Sequence, residues 1–204
     1  MRQNKILIVF FFASLWGVIE AGLGGFLYGK HLPFSSAPLT IGGLMVLTIA
    51  RAYLPYRGSS TLIGSIAMLY KFFNAPFFAC HLLAIFLLGL SYDLLFGLFK
   101  QRSKALFGVC AAYLGYLLFS LTITYVFRYH YWIDEGLPRI IRYIGGSGSL
   151  AALGSFFAVP LAFRISSKLS RLSLNPFELR FRFAPVSLSF ITIVLWSLSL
   201  TRSF

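Results

Sequence analysis

Seven long apolar runs follow one another along this chain, at about residues 6–28, 38–55, 61–75, 77–99, 105–127, 147–165 and 184–201. A bilayer core takes about 20 apolar residues per helix, and backbone exposed to lipid must satisfy its own N–H and C=O groups. Runs of this length, parted by short polar breaks, restrict the chain to an all-α, polytopic transmembrane helical bundle of six or seven spans. Only 11% of the residues are charged, against roughly a quarter in soluble domains. Residues 1–204 therefore read as a single integral membrane domain. It has a core bundle over 6–165, a basic cytoplasmic loop over 166–182 and a last apolar segment over 184–201.

The breaks carry the expected punctuation. Gly29-Lys30-His31-Leu32-Pro33 closes the first run, Pro55-Tyr56-Arg57-Gly58 parts the second from the third, and Asn74-Ala75-Pro76 makes a tight turn. Lys100-Gln101-Arg102-Ser103-Lys104 is a compact charged break. The second and third runs are short, which allows a tilted, broken or re-entrant segment. The first run is followed by further spans rather than by a cleavage site and a soluble domain, so it reads as a retained span. Cys80 and Cys110 lie inside apolar runs, which argues against a disulfide framework.

The net charge of +13 sits mostly in the breaks. That placement fits topology selection and anionic lipid headgroups rather than nucleic acid. With the N-terminus inside, the cytoplasmic face collects Arg2, Lys5, Arg57, Lys100, Arg102, Lys104, Arg164, Lys168, Arg171, Arg180 and Arg182. The outer face keeps Lys30, Lys71, Arg128, Arg139, Arg142 and Arg202, offset in part by Asp134 and Glu135. The positive-inside rule favours this orientation, and a bacterial cytoplasmic membrane is the expected location.

Within the first run, Ala13, Gly17, Ala21 and Gly25 place a small residue at every fourth position, a spacing that lets a second helix approach closely. Glu20 stands seven residues beyond Ala13 and so shares its face. An ionisable side chain at that depth is a functional candidate or half of a structural ion pair. Lys71 is its expected partner, at a backbone depth roughly 6 Å different by helical rise. At the inner end, Arg51 and Asp93 form the corresponding pair, read as structural. His31, His81 and His130 all fall near the outer surface, without the short spacing that marks a metal site; no metal and no cofactor is expected.

The 128–145 segment is rich in Tyr and includes Trp132, as a headgroup belt requires, and Pro138 suits the start of a short helix. It reads as an interfacial anchor or as a lid over an outward pocket. Gly145-Gly146-Ser147-Gly148-Ser149 then opens the sixth run, and a helix start there would present N–H groups to an anion. No Walker loop, His-Glu-x-x-His or Gly-x-Ser-x-Gly elbow occurs, so no enzymatic activity is expected.

Taken together, these features resemble the substrate-binding (S) components of energy-coupling-factor vitamin transporters, which are small, basic, hydrophobic proteins of about six spans without an ATP site. Ala13-x-x-x-Gly17 looks like a relaxed form of the Ala-x-x-x-Ala-type motif by which that family contacts its coupling subunit. Position 17 is Gly rather than Ala, and a seventh apolar run follows the architecture shared over 1–165. The resemblance implies capture of a small, vitamin-like polar solute in the outer half of the bundle, with a coupling subunit and ATPase subunits on separate chains. Glu20, His31, Lys71, Asn74, His81 and Trp132 are the residues it would place at the solute. Ala13, Gly17, Ala21 and Gly25 would form the partner interface. The alternative is a structural or assembly subunit of a membrane complex, in which the same polar residues serve only as interhelical glue.

The orientation is directly testable. In a chain with Cys80 and Cys110 replaced, a single cysteine at Ser167 should resist an impermeant thiol reagent added to intact cells and react after permeabilisation. Labelling from outside would invert the orientation.

Overall fold

The computed structural model describes residues 2–72, 79–99 and 103–172, together with isolated helical positions 191, 194 and 197. Side chains are placed over 5–69, 80–98, 103–169 and those three positions. The expected turn at Asn74-Ala75-Pro76 and most of the seventh run lie outside the described residues.

Each of the first five apolar runs forms a helix. These are α1 (Arg2–Gly29), α2 (Ser36–Tyr53), α3 (Ser59–Phe72), α4 (Ala79–Phe99) and α5 (Lys104–Leu121). The chain then makes a π-helical turn over Thr122–Val126, two short helices, α6 (His130–Ile133) and α7 (Leu137–Tyr143), a second π-helical turn over Ile144–Gly148, and α8 (Ser149–Leu172). Local chemistry sets the ends. Pro55 biases Leu54 to extended backbone (φ −126°, ψ 71°) and stops α2. The Ser103 side chain caps α5 by accepting from the Leu106 N–H at 3.4 Å. Pro138 sits in the first turn of α7, where its missing N–H costs nothing.

Among the described residues, four helical stretches are long and apolar enough to cross a membrane, Lys5–Gly29, Cys80–Leu98, Lys104–Val126 and Leu137–Leu169. By length and composition they make this a multi-pass membrane protein. Ser59–Leu69 is apolar but shorter. The order around the bundle is α1, α2, α8, α5, α4, α3 and back to α1.

Close approach around the ring depends on glycine. The indole of Trp16, wholly buried, fills the space beside Gly43 of α2, where a Cβ would stand 2.8 Å from the ring. A Cβ at Gly89 would come within 2.6 Å of the Ser60 carbonyl, and one at Gly108 within 2.7 Å of the Ser155 carbonyl. These two glycines bring α4 onto α3 and α5 onto α8 backbone to backbone, the small-residue packing that lipid favours.

Two ends of the bundle can be told apart. At one, Lys5 stands over the Tyr56 ring and Lys104 over the Phe163 ring, so the start of α1, the α2–α3 connection, the start of α5 and the later part of α8 share a basic face. At this end Arg51 and Asp93 form the structural pair expected from their depth, 3.0 Å apart, with both side chains buried. Arg51 also donates to the Tyr56 carbonyl (2.6 Å) and to Ser59 Oγ (2.7 Å). Asp93 accepts from the backbone N–H (2.7 Å) and the hydroxyl (2.8 Å) of Thr61. The guanidinium lies 4.2 Å from the Phe96 ring centre. One network thus ties α2, the α2–α3 connection, α3 and α4.

Three expectations are corrected. Residues 166–172 continue α8 rather than beginning a loop, because Ser166 to Leu172 carry no helix breaker. The helix of the sixth apolar run begins well before 147, since α7, the π-helical turn and α8 run without interruption from Leu137. The Ser149 N–H is spent on the Gly146 and Ile144 carbonyls, so there is no free helix start and no anion site at the glycine-rich tract. Third, the small-residue seam of α1 does not form one accessible face. Ala13 and Gly17 are buried within the chain's own bundle, Ala21 is half-buried and Gly25 is exposed. A step of four residues overshoots one turn by about 40° at 3.6 residues per turn, so four such positions sweep about a third of the helix circumference.

The network around Arg51 yields a stability test. Asp93→Asn or Arg51→Met alone should each cost roughly 3–5 kcal/mol, because the remaining charge stays buried. The combined Arg51→Met, Asp93→Leu change should recover most of that. Thermal unfolding in detergent measures both.

Candidate functional site

Opposite the basic end, the bundle opens into two adjoining cavities. The outer vestibule, about 440 Å3, is enclosed by the α1–α2 loop, the starts of α2 and α4, and residues Phe119, Trp132, Tyr143 and Ser147. The inner chamber, about 50 Å3, lies deeper between α1, α2, α4 and α5 and reaches Glu20, Thr40, Leu88 and Gly115. Tyr28, Ser36, His81, Ala84, Phe119 and Tyr143 line both and so mark the passage from one to the other.

Glu20 reaches this place because it lies one face with Ala13 on α1, turned into the bundle and only 6% exposed. It accepts from the Trp16 indole N–H at 3.4 Å, one helical turn below. Above it, Tyr28 stacks on His81 of α4, with ring centres 4.6 Å apart and planes inclined by 23°. On the far wall, the Tyr116 hydroxyl donates to Ser36 Oγ at 2.9 Å and accepts from Thr40 Oγ1 at 3.5 Å. Ser36 and Thr40 stand four residues apart on one face of α2, and this pair with Tyr116 joins α2 to α5 across the chamber.

The roof is aromatic. Tyr143 lies 4.9 Å from Tyr116, 5.7 Å from Phe119 and 5.2 Å from Trp132 between ring centres. Trp132 also meets Phe119 edge-on at 5.5 Å. Trp132 and Ile140 are buried against Leu87, Phe119 and Ile123, so the 128–145 segment packs inward onto α4, the end of α5 and the π-helical turn that follows it. Glu135 holds Arg139 and Arg142, and the Arg139 guanidinium lies 5.2 Å from the Trp132 ring centre and 4.3 Å from that of Tyr131. The vestibule rim is conformationally strained. His31 (φ 50°) and Phe34 (φ 59°) adopt left-handed backbone without being glycine. Phe34 is accommodated by Gly146, where a Cβ would stand 2.9 Å from its ring.

Of the six residues expected at a solute, Glu20 and His81 line the inner chamber, and His31, His81 and Trp132 line the vestibule. Lys71 belongs to α3 by backbone, but its side chain, like Asn74, lies outside the described residues. His130 is exposed at the start of α6 and lines neither cavity. Among the described residues, no group of three or more His, Cys, Asp or Glu is placed to hold a metal ion. Tyr28, Ser36, Thr40, Tyr116 and Tyr143 line the chamber without having been singled out in the sequence. The available signal was Tyr116 at the centre of an apolar run, where a phenol needs a partner, and the Ser36-x-x-x-Thr40 pair at a helix start.

Comparison with protein families, with characterised proteins and with solved structures finds no match to this chain. Its function must therefore be read from the cavity itself.

Removing one hydroxyl tests the wall. Tyr116→Phe keeps the ring but leaves Ser36 and Thr40 without it, so it should cost about 1 kcal/mol, seen as a lower melting temperature in detergent. An unchanged melting temperature would mean that water replaces the phenol fully.

Proposed function

We propose that this chain is the substrate-binding component of a multi-subunit uptake transporter. It captures a small, vitamin-like polar solute from the outer side of a bacterial cytoplasmic membrane. Energy would come from ATPase subunits acting through a coupling subunit, all on separate chains. The observation that carries this reading is a cavity, open at the end opposite the basic face, that descends past stacked Tyr28 and His81 to a buried carboxylate. Binding sites are concave, largely apolar and supplied with a few convergent polar groups, and an ionisable group within a span is a functional candidate by default.

Topology supports the same reading. With α2 and α3 counted as short spans, the ring has six, the N-terminus is inside and the vestibule faces out. A coupling subunit would meet the exposed side of α1. Gly25 is accessible there with open space beside it, as Gly22 and Gly29 also have, whereas Ala13 and Gly17 are covered by the chain's own helices.

The test joins stability to uptake. Glu20→Gln combined with Lys71→Met should give a folded protein, because both members of any ion pair are removed together, and one deficient in solute binding. Thermal unfolding of the purified wild type with water-soluble vitamins should show one that stabilises it, by about 2.7 kcal/mol at a hundred-fold excess over Kd. The double variant should lose that stabilisation and the corresponding cellular uptake. Full uptake by a stable double variant would remove Glu20 and Lys71 from the site and favour a structural or assembly subunit.

A further inference from the structure

We infer that the solute is a flat aromatic or heteroaromatic ring bearing one slender arm with N–H or O–H donors. The ring is held in the vestibule and the arm reaches into the inner chamber. This deepens the capture reading and rests on it.

Shape gives the first reason. The vestibule, at about 440 Å3, has the size of a small-molecule pocket, whereas the inner chamber, at about 50 Å3, admits only a few atoms. A ring with a narrow substituent fills both spaces.

The walls give the second. Tyr28 and His81 lie nearly parallel at the passage, 4.6 Å between centres. Tyr143 and Trp132 present a second aromatic surface, meeting almost perpendicularly at 5.2 Å. Aromatic groups prefer offset-stacked and edge-to-face neighbours, and these two surfaces offer a flat ring both. The rings come from α1, α4, α6 and α7, so their convergence is a property of the tertiary fold and not of one amphipathic helix.

The chamber's chemistry gives the third. Its polar lining combines the Glu20 carboxylate, an acceptor when ionised, with the hydroxyls of Ser36, Thr40 and Tyr116. Hydroxyls can reorient, but a carboxylate at this depth selects an arm that donates. An amino or hydroxymethyl substituent can donate to it alongside the Trp16 indole N–H.

The closing experiment uses the purified full chain, two sets of probes and thermal unfolding backed by equilibrium dialysis. The flat set is thiamine, pyridoxine, nicotinamide and riboflavin; the non-aromatic set is pantothenate, choline and lipoate. The expected result is binding by a member of the flat set. Its affinity should fall about ten-fold in Tyr28→Leu and in His81→Leu but hold in Tyr28→Phe, since the ring and not the phenol supplies the stacking. The Phe variant also controls for folding, as the ligand-free melting temperatures of all variants are read in the same run. A probe from the non-aromatic set that binds tightly, loses affinity in Glu20→Gln and ignores Tyr28→Leu would overturn the ring inference while leaving solute capture intact. A flat probe that binds equally well to wild type, Tyr28→Leu and His81→Leu would overturn it too. Binding by no probe of either set would count against both the ring inference and solute capture.

Discussion

Polar atoms inside this bundle have no bulk water to turn to, and that constraint governs the arrangement of its helices. Its strongest expression is the contact of Arg51 with Asp93 at 3.0 Å, supported by Tyr56, Ser59 and Thr61. An isolated charge at that depth costs several kcal/mol, so the pair exists only if α2, the α2–α3 connection, α3 and α4 hold one register. Several smaller polar groups obey the same rule locally. Ser14, Thr48 and Ser65 each return a hydrogen bond to the carbonyl four residues back, and the Tyr92 hydroxyl donates to Thr48 Oγ1 at 3.2 Å. The half of the bundle at the basic end is thereby pinned, which leaves the opposite half as the place where space can open.

How that half opens follows from its irregular backbone. The two π-helical turns, Thr122–Val126 and Ile144–Gly148, lie on either side of α6 and α7. Each widens the helix by one residue per turn, which lets the chain re-aim without abandoning its hydrogen bonds. Between them, Arg128 (φ 48°) and Gly136 (φ 57°) bracket α6 and turn Trp132 inward. On the opposite rim, His31 and Phe34 hold positive φ. Non-glycine residues in that region are sparse and gather where the surrounding structure enforces them. Here they set the loop that lines the vestibule.

Much of this was legible in the residues, and the reasons for the remainder are physical. Apolar runs marked the helices because lipid demands both length and composition, and Arg51 with Asp93 could be paired because two opposite charges at one depth must meet. Glu20 faced inward because seven residues return to the same face of a helix. The fusion of α7 with α8 was not legible. Gly145-Gly146-Ser147-Gly148-Ser149 has the composition of a break, but the tract stays hydrogen-bonded as a π-helical turn, as an apolar surrounding requires. The small-residue seam misled for a different reason: a four-residue period is not a helical period, so Ala13 and Gly25 diverge. Tyr28, Tyr116 and Tyr143 lie in separate helices, and nothing in any one helix says that their rings converge.

Glue and capture make opposite demands on space, and the two ends of this molecule differ in that respect. Around Arg51 the Nη1 donor and its acceptors stand 2.6–3.0 Å apart, while the buried Arg51 Nε has no hydrogen-bond partner among the described residues. Around Glu20, Ser36, Thr40, Tyr116, Tyr28 and His81 the polar and aromatic groups enclose a void. Helical interiors pack to the density of organic crystals, and an unfilled void forfeits the dispersion contacts of every atom that lines it. If these residues served only to hold α1, α2, α4 and α5 together, a larger side chain at Ala84, which lines both cavities, would fill space there. A bundle that keeps small residues beside a carboxylate and a stacked ring pair gives up packing energy at that point. Recovering it when a solute fills the gap is the physical argument behind the proposed capture.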